Sequence, residues 1–71
     1  MIEHIEHSIR SYGAEYWSQN GNLHRLNGPA IIYADGSEFW YQYGEYHRLD
    51  GPAITYIDGK EIWLENGKIV K

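Results

Sequence analysis

One short segment combines a histidine, an arginine and a carboxylate in a pattern that could support acid–base chemistry. His47, Arg48 and Asp50 offer a general base, an electrophile and an acid that could orient the base. The same pattern occurs 23 residues earlier as His24, Arg25 and Asn27. Every copy of a repeat needs its turn, whereas an enzyme needs one active site. Repetition, and the replacement of Asp by Asn in the earlier copy, therefore favour a structural role.

In that structural interpretation, the imidazole and the guanidinium satisfy backbone carbonyls around a recurring bend. The Asn or Asp side chain accepts hydrogen bonds from nearby amides, as turn residues do. We therefore expect no catalytic residues and a protein that is not an enzyme.

A metal site formed by the repeated histidines is also disfavoured. Equivalent residues of a two-strand repeat lie two strands apart, roughly 9.5 Å at the usual strand spacing. Two imidazoles on one zinc ion need nitrogens about 2.1 Å from the metal. The separation of equivalent histidines in a straight stack is therefore too wide for one shared zinc ion. His4 and His7 could meet on a helix, but two ligands make a weak site, and the chain has no cysteine. No metal and no cofactor are expected.

The histidine segments belong to an internal repeat of 23 residues. A period between 20 and 50 residues marks an array in which each unit buries a surface of its neighbour. The residues that recur at this period include Trp17, Trp40 and Trp63; Gly13, Gly36 and Gly59; Gly21, Gly44 and Gly67; and Glu15, Glu38 and Glu61.

The pattern within each unit predicts β-hairpins. Asp35-Gly36 and Asp58-Gly59 separate β-favouring runs, and Asn20-Gly21, Tyr43-Gly44 and Asn66-Gly67 follow the tryptophan strands. The Gly-Pro step predicts a bend or bulge before the next strand. We predict an all-β antiparallel meander of about 2.5 repeats. Its strands would lie near 14–19, 30–34, 37–42, 53–57, 60–65 and 68–71.

The chain of 71 residues is long enough for one domain only, with an N-terminal cap over 1–11 and a repeat region over 12–71. Ile2, Ile5 and Ile9 have helical spacing, which predicts a short amphipathic cap helix. An edge strand or a loose segment is the alternative.

Composition limits the partners that we expect. The net charge is −4 without a basic cluster, so direct nucleic-acid binding is disfavoured, while a basic protein surface remains a suitable partner. No apolar run reaches 18 residues, so no membrane span is expected. The acidic start of the chain is unlike a secretory signal, which predicts a cytoplasmic location.

The middle unit carries the predicted contact surface. Trp40 shares one strand face with Glu38, while Tyr41 and Tyr43 lie on the other face, so both faces carry aromatic rings. Tyrosine is enriched at interfaces, although these rings could instead fill the core. The predicted partner-binding residues are Tyr41, Tyr43, Tyr46, Trp40, Glu38, Glu45, Arg48 and Asp50.

The repeated His-Arg-Leu-Asn/Asp-Gly-Pro-Ala segments, with Trp and Gly upstream and Asp-Gly downstream, resemble the MORN-like repeats of a short type found in phage and bacteria. The resemblance covers roughly residues 12 to 68, and residues 40 to 59 follow the pattern except that Tyr43 replaces Asn. It implies a non-catalytic partner binder.

With the composition, this resemblance predicts an inhibitor or antitoxin that occludes a partner protein. The concrete form is a phage-encoded inhibitor of a bacterial defence system, anti-CRISPR-like, in the host cytoplasm. Its acidic groups would face a basic nucleic-acid-binding surface of that partner. Two alternatives stay open, namely a module that binds a sugar or nucleotide, and a structural protein that self-assembles as a homodimer.

Overall fold

The computed structural model describes residues 5–71, and in this part of the chain all regular structure is β. The strands are β1 Glu6–Ile9, β2 Glu15–Gln19, β3 Asn22–Leu23, β4 Ile31–Ile32, β5 Glu38–Phe39, β6 Tyr41–Gln42, β7 Glu45–Tyr46, β8 Ile54–Thr55, β9 Glu61–Ile62, β10 Leu64–Glu65 and β11 Lys68–Ile69. No described helix is long and apolar enough to cross a membrane.

Most strands form one seven-stranded antiparallel sheet. Its order is β1-β2-β4-β5-β8-β9, with β3 paired to β2. Tight turns at Asp35-Gly36 and Asp58-Gly59 connect β4 to β5 and β8 to β9, and both glycines have positive φ. The predicted all-β antiparallel meander is confirmed.

Three hairpins recur along the chain and form a hairpin row. The first, β2-β3, is part of the main sheet, whereas β6-β7 and β10-β11 are separate two-stranded sheets. Their turns begin at Asn20, Tyr43 and Asn66, which have φ values of 52°, 52° and 51°. A tyrosine seldom adopts this left-handed conformation, so the hairpin geometry must hold Tyr43 there. Neighbouring hairpins are joined by backbone bonds of 2.8 Å, from Gly44 N to Leu23 O and from Gly67 N to Tyr46 O.

The predicted strands 37–42 and 60–65 are each divided at a tryptophan, which corrects our prediction of continuous strands. The Trp40 N–H donates to Ala53 O in the sheet at 2.7 Å, while the Trp40 carbonyl accepts from His47 N in the hairpin row at 2.9 Å. The chain therefore changes pairing partners at Trp40. The first half of the predicted strand is β5 and the second half is β6.

The predicted N-terminal cap helix is wrong where the structure can test it. Glu6–Ile9 is a strand that pairs with β2, with Glu6 opposite Ser18 and Ile9 opposite Glu15. Pairing with an existing strand satisfies the backbone, whereas an isolated helix of this length is marginal. The edge-strand alternative is confirmed for these residues, and Ile2 lies outside the described residues.

The Gly-Pro step leads into a β-bulge, as predicted. The Ala30 N–H donates to Phe39 O at 2.8 Å, while the next residue, Ile31, is the register partner of Phe39. Two residues thus oppose one, which defines a bulge. Ala53 and Ile54 oppose Ile62 in the same way in the next unit.

The core lies where the units contact each other. Its buried residues are Ile31, Phe39, Ala53, Ile54 and Leu64. The Phe39 ring makes edge contacts with Tyr33 of its own unit and with Tyr56 of the next, at centroid distances of 5.2 and 5.8 Å. The molecule measures 32 × 30 × 16 Å, so it is a thin slab and each unit depends on its neighbours for burial.

Candidate functional site

Each repeated arginine lies over the tryptophan of its own unit. The Arg25 Cζ is 3.9 Å from the Trp17 ring centroid, and the Arg48 Cζ is 3.8 Å from that of Trp40. In the last unit Lys71 takes the same place over Trp63. Such cation–π contacts also cover the face of each ring.

The guanidinium groups also bind the backbone of the Gly-Pro bend. Arg48 Nη1 donates to Pro52 O and Arg25 Nη1 donates to Pro29 O, both at 3.2 Å. Arg48 Nε donates to Asp50 Oδ1 at 3.1 Å. The arginine half of the structural interpretation is confirmed, since the side chain satisfies a backbone carbonyl at the bend.

The histidines have a different role from the one predicted. His24 Nδ1 accepts a hydrogen bond from the Tyr43 N–H at 2.9 Å, and His47 Nδ1 accepts from the Asn66 N–H at 3.0 Å. The imidazole therefore satisfies a backbone donor, where we predicted a backbone carbonyl. Both donors belong to turn residues with positive φ. Each histidine thus fixes the hairpin turn of the following unit.

No group of three or more His, Asp or Glu residues that could hold a metal ion is found within residues 5–71. His24 is fully buried, and each repeated histidine uses its Nδ1 for a turn. His7 stacks on Trp17 and lies 3.0 Å from Glu15, and His4 lies outside the described residues.

The three predicted contact tyrosines do not share one environment. Tyr41 and Tyr46 pair across β6 and β7 with ring centroids 4.3 Å apart, and both pack against the core. Tyr43 is 66% exposed, and its ring lies over His24 at 4.2 Å. Tyr43 is thus the most accessible of the three.

Burial, and then the hydrogen bond with Tyr46, raises the pKa of Tyr41 above its usual value of 10. The folded state therefore keeps this proton at a pH where the unfolded chain loses it. The associated stability is complete below about pH 10 and is lost as the pH rises towards the folded-state pKa. We expect Tyr41→Phe to reduce the loss of unfolding free energy above about pH 10, measured by urea denaturation. Tyr43→Phe, which removes a tyrosine hydroxyl from an exposed site, is the control variant.

A cleft of about 420 Å³ lies between the two repeated bends. Its lining residues are Leu26, Asn27, Trp40, Gln42, Leu49 and Asp50. It brings together two predicted site residues, Trp40 and Asp50, and Arg48 contacts both of them. Leu26 and Leu49 are 48% and 72% exposed.

Two other predicted residues lie outside this cleft. Glu38 is half-buried in β5, between β4 and β8 of the sheet. Glu45 is exposed in β7, and its carboxylate lies close to Gly67, since a Cβ added at Gly67 would be 3.9 Å from Glu45 Oε2. Glu45 therefore belongs to the hairpin row, near the turn of the last unit.

Four lining residues of the cleft were not predicted from the sequence, namely Leu26, Asn27, Gln42 and Leu49. The two leucines carried a usable signal, because they recur at the 23-residue period within an otherwise polar bend. They stand outside any alternating strand pattern that would bury them.

Comparisons with protein-family models, with curated proteins and with solved structures find no match to this chain. The resemblance to MORN-like repeats therefore stays a prediction based on the repeated motifs.

Proposed function

We propose that this protein is a non-catalytic module that binds another protein through the cleft between Leu26 and Leu49. The observation that carries the proposal is the exposure of these two leucines at equivalent positions of successive units. At these exposed positions the two leucines contribute little to the stability of the fold. Only complete burial of a leucine side chain stabilises the folded state by about 1.5–3 kcal/mol.

The histidines and arginines of the repeated bends are used within the fold. The histidine Nδ1 atoms accept from turn amides, and the arginines stack on tryptophan and bind proline carbonyls. A nucleophile or base would need such groups to face a substrate. This arrangement supports binding over catalysis.

The small-ligand alternative receives less support from the cleft. Sugars and bases stack on an open aromatic face. The Trp40 ring already carries the Arg48 guanidinium at 3.8 Å, and its Nε1 is buried without a hydrogen-bond partner among residues 5–71. The lining of leucine and polar side chains suits an apolar side chain of a partner protein better.

The charge of the surface indicates which partner would fit. Asp50 at the cleft is 85% exposed, and the net charge of the chain is −4. A partner that presents an apolar side chain beside basic residues would complement both features. A nucleic-acid-binding surface of a defence or toxin protein has this chemistry, and an inhibitor docked there would act by occlusion.

A matched set of aspartate variants tests the proposal. Leu26→Asp with Leu49→Asp should abolish recovery of a protein partner from bacterial lysate, because a charge would replace both apolar walls of the cleft. Loss of two such contacts is expected to weaken binding about 30-fold or more. Ile57→Asp is the control, since Ile57 is 66% exposed and does not line the cleft.

Circular dichroism should show that all these variants keep the β fold. Recovery of the same partner by wild type and by the leucine double variant would contradict the proposal. Loss of the partner only with Ile57→Asp would move the binding surface to the Asp58-Gly59 turn, beside which Ile57 lies. Binding that is insensitive to salt would contradict the basic-partner detail.

A further inference from the structure

The two outer strands of the main sheet are β1 and β9, and they are of different kinds. Every neighbouring pair in the order β1-β2-β4-β5-β8-β9 is antiparallel, so strand direction alternates across six strands. It follows that β1 and β9 point in opposite directions. A second copy, translated along the sheet, could place its β1 antiparallel to β9 and continue the alternation.

The repeat also specifies which kind of strand should follow β9. One strand of each unit contains the repeated tryptophan or ends directly before it, and these strands are β2, β5 and β9. β2 pairs with β4 and β5 pairs with β8, so in each case the partner is the strand that follows the next Gly-Pro bend. Ser8 of β1 stands 23 residues before Ile31 of β4, so β1 is equivalent to β4 and β8, and within residues 5–71 no strand of this kind pairs with the outer side of β9.

Backbone groups at both outer edges are available for this pairing. The Arg10 N–H bonds to Ala14 O, and hydrogen-bonded pairs alternate along an antiparallel ladder, so the amides of His7 and Ile9 face outwards. On β9, Ile62 O accepts from Ala53 on the inner side, so the amides of Glu61 and Trp63 face outwards. In the earlier units the tryptophan amide donates to an alanine carbonyl of the next unit, and for Trp63 no such acceptor is present among residues 5–71.

Side chains at the C-terminal edge lack the cover that interior units receive. Phe39 is 9% exposed between the tyrosines of two units, whereas its equivalent Ile62 is only partly buried. Ile69 and Val70 are 72% and 51% exposed.

We propose that copies of this protein associate head to tail, with β1 of one copy added to the β9 edge of the next. The register of the interior units, Tyr16 opposite Ile31 and Phe39 opposite Ile54, then places Ile62 opposite Ser8 of the second copy. Contact between unlike edges leaves a free edge at each end, so assembly continues beyond a dimer. This surface is separate from the leucine cleft, and the inference does not depend on the proposed function.

Two edge prolines test the seam without breaking the internal ladders. Ile9→Pro removes an outward amide of β1, and Glu61→Pro removes an outward amide of β9. Proline is tolerated on an edge strand whose N–H faces solvent. Ser8→Pro is the contrasting variant, since the Ser8 amide belongs to the β1–β2 ladder and its loss should lower stability.

Sedimentation velocity from micromolar to millimolar concentration is the measurement. Wild type should grow beyond dimers, and each edge-proline variant alone should stay monomeric with an unchanged circular dichroism spectrum. An equimolar mixture of the two variants should form a dimer and stop there, because one intact β9 meets one intact β1. Wild type that stays monomeric at every concentration would overturn the proposal, as would a dimer that forms with the Ile9→Pro variant alone.

Discussion

Replacement of His24 by alanine is expected to lower the free energy of unfolding by about 3 kcal/mol, a large share of the total for a chain of this length. His24 is fully buried, and its Nδ1 accepts the Tyr43 N–H at 2.9 Å. The variant leaves that amide without its acceptor, which costs about 1–3 kcal/mol, and opens a cavity where the ring was. Urea and thermal denaturation would measure the loss, with a fall in Tm of roughly 10–20 °C.

Two related variants separate the hydrogen bond from the packing of the ring. His24→Asn places an amide oxygen near the position of Nδ1, so it should recover part of the stability that His24→Ala loses. His47→Ala removes the equivalent bond to Asn66 at a more exposed site and should cost less. Equal losses for His24→Ala and His47→Ala would show that burial of the ring is not the main contribution.

The turns of this fold were predictable because local chemistry specifies them. Asp-Gly and Asn-Gly pairs allow the positive φ values that the hairpins require, and the 23-residue period repeats them in register. The division of the tryptophan strands was not predictable in the same way. At Trp40 the N–H bonds to one unit and the carbonyl bonds to another segment, so the break depends on neighbours distant in sequence.

The N-terminal strand shows the same limit. Ile2, Ile5 and Ile9 fit a helix by spacing, but β2 offers an open edge nearby, and pairing with it decides the structure of Glu6–Ile9. Local pattern alone carries no information about that edge.

The candidate site was predictable in part. Trp40, Arg48 and Asp50 were singled out by their position in the repeat, and the structure brings them together. The leucines of the cleft were not singled out, because exposure of an apolar residue in a bend depends on how successive bends face each other. The role of the histidines required the structure too, since their partners lie 19 residues away in the next hairpin.

Gly51→Ala is expected to cost about 2 kcal/mol, through displacement of Arg48. A Cβ at Gly51 would lie 2.7 Å from Arg48 Cζ, which is closer than real Cβ contacts allow. On its other side, Arg48 Cζ is 3.8 Å from the centroid of the Trp40 ring. The guanidinium would have to leave the ring and the Pro52 carbonyl. Backbone strain is not the cause, because Gly51 does not have positive φ. At Gly28, where the equivalent distance is 3.0 Å, the loss should be smaller.

A double-mutant cycle identifies Arg48 as the source of this loss. In an Arg48→Ala background the clash is absent, so Gly51→Ala should cost close to nothing and could stabilise by about 0.4–1 kcal/mol through the unfolded state. The unfolding free energies of the four proteins, measured in urea, give the coupling between the two sites. A Gly51→Ala cost that is the same in both backgrounds would contradict the steric explanation. The guanidinium would then be free to move away, and Gly51 would be needed for the path of the chain into Pro52 instead.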